Sequence, residues 1–67
     1  MIEWLENEPD KVWCAYRPAT GQILGEVRHD NEGFQVWLIG AHARFIRQGW
    51  PHTTLNAAKA DLADFLK

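Results

Sequence analysis

The run KVWCAYRPATGQILGEVRHDNEGFQVWLIG, residues 11–40, decides the fold. It contains two four-residue segments that end in glycine, Pro18-Ala19-Thr20-Gly21 and Asp30-Asn31-Glu32-Gly33. Proline presets φ for a type I turn, Asp and Asn bond to nearby backbone, and a closing glycine accepts the left-handed conformation. Each segment is flanked by residues rich in Val, Ile, Trp, Tyr and Phe. The pattern therefore predicts strand, turn, strand, turn, strand, over Lys11–Arg17, Gln22–His29 and Phe34–Gly40.

Closing the two turns predicts the register. The first loop pairs Arg17 with Gln22, and so Tyr16 with Ile23, Cys14 with Gly25 and Val12 with Val27. The second pairs His29 with Phe34, Val27 with Val36 and Gly25 with Leu38. Both place Val12, Cys14, Tyr16, Ile23, Val27, Phe34, Val36 and Leu38 on one nearly pure apolar face. The other face then holds Lys11, Trp13, Ala15, Arg17, Gln22, Leu24, Glu26, Arg28, Gln35, Trp37 and Ile39.

Towards the C-terminus, Thr54 is placed as an N-cap, with Thr53 and Asn56 as an alternative start. Leu55, Ala58, Leu62 and Phe65 follow at helical spacing, and Leu66 widens the stripe. A helix over 53–66 would cover the apolar sheet face. Residues 41–52 read either as a fourth strand containing Arg44-Phe45-Ile46-Arg47 or as an irregular crossover. Residues 1–10 read as an acidic leader or a short edge strand. The expected fold is α+β: an antiparallel meander of three, possibly four, strands with one C-terminal helix on one face, in a single domain spanning 1–67.

Composition supports this. With 67 residues there is one domain at most, and 46% hydrophobic content with four tryptophans and three phenylalanines suits a packed core rather than disorder. One cysteine excludes an internal disulfide framework. No apolar run approaches a membrane span, and no signal-peptide pattern opens the chain. The expected location is the cytoplasm.

The formal net charge is -2. Glu3, Glu6, Glu8 and Asp10 crowd the first ten residues with no base among them. A nonspecific phosphate binder needs a large positive excess, which is missing here. Catalytic patterns are missing too. Cys14 is expected to point into the core as a small hydrophobe. His29, His42 and His52 lie too far apart in sequence for a compact metal motif, and the glycines form no phosphate-cradling loop. The expectation is no enzyme activity, no cofactor and no metal. Gly25, mid-strand, reads as a point of close helix approach or a bulge.

The surface left over combines indoles, aliphatic residues and hydrogen-bonding groups, the composition of a binding hot spot. Trp13, Arg17, Glu26, Arg28, Gln35 and Trp37 are the candidate partner-binding residues. Alternatively, Ile2, Trp4 and Leu5, or Phe45, Ile46 and Trp50, fold across that face and bury it.

Trp13-Cys14-Ala15-Tyr16, the turn closing at Gly21, Gly25 and Thr54-Leu55-Asn56-Ala57-Ala58-Lys59 together resemble a pattern of small phage or prophage proteins. Val36-Trp37-Leu38 and the alanine-rich helix also resemble the three-strand-plus-helix DNA-binding domains of integrase arms and ethylene-response factors. The first resemblance implies a non-enzymatic protein-binding module, an anti-CRISPR-like inhibitor occluding a host or defence complex, in the cytoplasm of the host cell. The second implies sequence-specific DNA binding by the same sheet face, with Trp13, Arg17, Arg28 and Trp37 towards the duplex. A homodimer joined through the tryptophan face is a third reading.

Overall fold

A computed structural model of the chain describes residues 2–7 and 11–66. The sheet has five strands, not three or four: β1 (Glu3–Asn7), β2 (Val12–Arg17), β3 (Gln22–Asp30), β4 (Gly33–Ile39) and β5 (Phe45–His52). They form one antiparallel meander in chain order, β1-β2-β3-β4-β5. A 3-10 turn over Ala41–Ala43 joins β4 to β5, and α1 (Leu55–Phe65) follows β5. The start of the chain is thus an edge strand, and 45–52 is a strand rather than a crossover. The acidic residues Glu8 and Asp10 lie outside the described residues.

The β3–β4 hairpin follows the turn chemistry directly. Asp30 pairs with Gly33, whose φ is 130°, and His29, Val27 and Gly25 pair with Phe34, Val36 and Leu38 as expected. The Asp30 carboxylate accepts from the Glu32 amide at 2.9 Å, an Asx turn that locks the loop.

The β2–β3 hairpin departs from expectation. Arg17 accepts from the amides of Thr20 and Gly21, and Arg17 and Tyr16 pair with Gln22 and Ile23. The ladder then slips: Ala15 pairs with Gly25, Trp13 with Val27 and Val12 with Arg28. Leu24 is the extra residue of this β-bulge. A one-residue slip exchanges the faces of everything beyond it. Trp13 and Ala15 therefore turn towards the helix, and Val12, Cys14 and Tyr16 turn away from it. Burial decides the choice: an indole removes far more apolar area from water than a thiol does. Trp13 is 7% exposed, and Ala15 is fully buried.

The core under α1 is Trp13, Ala15, Val27, Val36, Ala58 and Leu62, flanked by Ile2, Trp4, Phe34, Leu38, Leu55 and Leu66. Trp13 meets Phe34 in a tilted ring contact with centroids 5.8 Å apart. Gly25 serves both of its expected roles. It sits at the bulge, and a Cβ there would lie 2.5 Å from the Trp37 carbonyl oxygen and 3.0 Å from Leu62 Cδ1.

The helix begins where expected, with the Thr54 hydroxyl accepting from the Ala57 amide at 3.1 Å. Its buried stripe runs Leu55, Ala58, Leu62, Leu66. Phe65 is 47% exposed and falls outside the stripe. The 3,4,4 spacing stays over the sheet, whereas Phe65 rotates off it. His52 on β5 lies 2.9 Å from the Asp61 carboxylate, and the Lys59 ammonium sits 5.2 Å from the Trp4 ring centroid. These contacts tie the helix towards both sheet edges.

Candidate binding face

The opposite side of the sheet has no second layer among the described residues. Its rows follow from the registers. Leu5, Cys14, Glu26, Trp37 and Arg47 are consecutive partners across the whole sheet. Val12, Arg28 and Gln35 form the next row in the same way. Glu3, Tyr16 and Ile23 lie in a row on the other side of the first, as do Ile39 and Phe45 on the far strands. Leu5 on this face is 58% exposed, whereas Val12, Cys14, Tyr16, Ile23, Trp37, Ile39 and Phe45 are half-buried.

Four of the expected site residues, Glu26, Arg28, Gln35 and Trp37, come together here. The Arg28 guanidinium stands over the Trp37 ring, 4.2 Å from its centroid, and 5.3 Å from that of Phe45. Such cation–π contacts are worth about 0.5–2 kcal/mol according to their exposure. Arg28 Nε donates to Glu26 Oε1, while the Cys14 thiol donates to Glu26 Oε2 at 3.8 Å. Glu26 is only 8% exposed, so the carboxylate is held by its neighbours rather than by water. Gln35, 5% exposed, donates from Nε2 to Asp30 Oδ2 at 2.5 Å. Its Oε1 and the Trp37 indole N–H are buried without a hydrogen-bond partner.

The other two expected residues are elsewhere. Trp13 lies on the helix side, as the bulge requires. Arg17 ends β2 and lines an open cleft with Ile2, Glu3, Pro18, Ala19 and Leu66. Cys14 is a further correction. Expected in the core, it sits half-buried on the open face. Burial pushes its thiol pKa up, the Glu26 charge and hydrogen bond add to this, and Arg28 opposes it. A thiol held in its protonated form is a poor nucleophile.

Phe45 and Leu5 belong to the face and were not among the expected residues. Phe45-Ile46-Arg47 alternates with a strand period, and that alternation is the signal that places Phe45 beside Arg47. The expected coverage by Phe45 takes another form: Phe45 extends the sheet and flanks Arg28 rather than folding over it. Trp50, in the irregular part of β5, is 87% exposed and covers nothing. Ile2 and Trp4 pack on the helix side.

Charge on the face is locally matched. Arg28 pairs with Glu26, and Arg47 Nη2 lies 3.7 Å from Glu32 Oε2. Among the described residues, no three His, Cys, Asp or Glu side chains gather to hold a metal ion. No helix among them is long and apolar enough to cross a membrane.

Fold and face together define the class: a small α+β domain with one helix-covered sheet face and one bare, largely apolar face. No family model, curated protein or solved structure matches the chain.

Proposed function

We propose that this chain is a non-enzymatic protein-binding module whose working surface is the bare sheet face. The observation that carries the reading is the Arg28 guanidinium stacked on Trp37 and Phe45 in the middle of an uncovered apolar sheet. Aromatic and arginine side chains are the types that dominate binding energy at protein interfaces. In the narrower form of the proposal, the module acts by occlusion, as a phage-type inhibitor of a host or defence complex would. Trp37 with the Arg28 guanidinium stacked on it is then the anchor, and Arg28 supplies the orienting hydrogen bonds, while Gln35 is buried beneath the contact.

DNA binding by the same face is less well supported. Its cations Arg28 and Arg47 are each matched by a carboxylate, so little net positive charge remains to release counterions from phosphate.

The test is a photoreactive side chain placed at Ile39 on the bare face or at Ala60 on the outer side of α1, in nuclease-treated lysate of the source cell. The expected result is a protein adduct from position 39 that is lost when Trp37→Ala is added, and none from position 60. Equal adducts from both positions, or one removed by nuclease, would overturn the reading.

A further inference from the structure

We propose that the β4–β5 connection is a strained hinge, and that its opening exchanges β5 and α1 between two copies of this chain. The bare face keeps its composition in the exchanged form, but Phe45 and Arg47 on it then come from the other copy.

The hinge is a turn over 41–44 with His42 and Ala43 at its centre. Both central residues are left-handed, His42 at φ 61° and Ala43 at φ 57°. Hairpin turns that need two such residues favour Asn-Gly, because a Cβ in that conformation crowds the following carbonyl oxygen. Here neither residue is asparagine or glycine. The bond that closes the turn, from the Arg44 amide to the Ala41 carbonyl, is long at 3.4 Å. On either side, Gly40 and Arg44 are already extended. Relaxing the three residues between them turns the hairpin into continuous strand. Ala41, His42, Ala43 and Arg44 are all exposed, so opening the turn uncovers no buried side chain of its own.

The part of the chain beyond the hinge holds together. His52 of β5 lies 2.9 Å from Asp61 of α1, and the Thr54 cap fixes where the helix starts. The part before the hinge, β1 to β4, presents Trp13, Ala15, Val27 and Val36 to Ala58 and Leu62 of the helix. These two parts meet through the β4–β5 ladder and the core. In an exchanged pair each of those contacts is remade with the other copy, the approach of Arg47 to Glu32 included. The exchanged interface is therefore complementary from the outset, and the hinge is what differs between the closed and open chains. Strain in a short hinge favours exchange, whereas the entropy of association opposes it. Mass action then ties the outcome to protein concentration during folding.

Size-exclusion chromatography of the full chain, refolded from urea at micromolar and at millimolar concentration, tests this. The wild type is expected as monomer from the dilute sample and partly as dimer from the concentrated one. Diluted again, the dimer should persist, because reversal requires β5 and α1 to leave their sites. Ala43→Gly relieves the closed turn and should lower the dimerisation constant about tenfold or more, since each dimer opens two hinges. Ala43→Val strains the turn further and should raise it. A disulfide reads the exchange itself. Leu38 and Ile46 are Cα partners across β4 and β5. With Leu38→Cys and Ile46→Cys in a Cys14→Ser background, the oxidised dimer should stay covalently linked in denaturant without reductant, and the oxidised monomer should not be linked to a second chain.

A wild type that is wholly monomeric after refolding at millimolar concentration overturns the proposal. So does a dimer that falls apart at once on dilution, or an oxidised dimer that runs as single chains. Equal dimerisation of Ala43→Gly and the wild type removes the turn as the hinge.

Discussion

Trp13 and Trp37 belong to the same sheet, two strands apart, and differ in what lies over them. Trp13 is beneath α1, packed against Phe34 and nearly out of water. Trp37 lies on the opposite face, half-buried, with the Arg28 guanidinium over its ring. The helix side is closed by aliphatic and aromatic contacts, although the Trp13 indole N–H is buried there without a hydrogen-bond partner. The bare side is held together by polar and cation–π contacts that leave the Gln35 oxygen and the Trp37 N–H unsatisfied. A chain of this size can complete one apolar layer. The second sheet face carries no second layer among the described residues, and its buried polar side chains, Glu26 and Gln35, are held by Arg28, Cys14 and Asp30.

Removing each indole should expose that difference most strongly. Trp13→Ala is expected to cost about 3–5 kcal/mol, because it opens a cavity in the layer beneath the helix. Domains are stable by roughly 5–15 kcal/mol, so the variant should be largely unfolded or lose most of its denaturant midpoint in urea titration. If Trp13→Ala melts like the wild type, the helix-side assignment fails.

Gly25→Ala comes next, at about 1–3 kcal/mol. The added Cβ meets a backbone carbonyl on β4 that cannot swing aside, with Leu62 close on the helix side. Thermal unfolding should show a clear drop in midpoint. An unchanged midpoint would mean that β3 and β4 are not in this register.

These two positions also mark what the chain's local chemistry could and could not convey. The β3–β4 register was legible because Asp30 and Gly33 define a short turn and no irregularity follows it. In β2–β3 the turn residues were equally readable, but Leu24 enters two pairs beyond the loop as an unpaired residue. Nothing in turn chemistry announces such an insertion. The competition between Trp13 and Cys14 for the dry side settles it, and that depends on the helix. The mid-strand glycine was the local hint, and its position opposite Ala15 is where the slip falls. Glu26, Arg28, Gln35 and Trp37 were legible as one face because they lie past the bulge, on the hairpin with the regular register. Trp13 was not, because it lies before the bulge. The outer strands were least legible: β1 is charged and short, and β5 carries Gly49 in a left-handed conformation (φ 65°) and Pro51.

A smaller effect is expected from Trp37→Ala. Losing the Arg28 stack should cost about 1 kcal/mol, since no layer collapses onto the site. Denaturant titration checks this directly. A loss as large as that of Trp13→Ala would show that something closes over Trp37, and the two faces would no longer differ in kind.

Cys14 gives the finest reading of the same contrast. Burial first, and then Glu26, hold its thiol pKa above the ordinary value. With the folded-state value raised, the unfolded chain ionises first as pH rises. The contribution to stability is therefore complete below the unfolded thiol's ordinary pKa and is lost as pH climbs through the folded one. At pH 8, alkylation by iodoacetamide should be slower than that of a free cysteine. Glu26→Gln should quicken it only in part, because burial remains. A cysteine beneath the helix would react only through unfolding, and low urea would speed it. On the bare face the folded chain reacts directly, so urea below the transition should leave the rate unchanged. A rate that follows urea instead would put Cys14 back in the core and return the β2–β3 hairpin to its regular register.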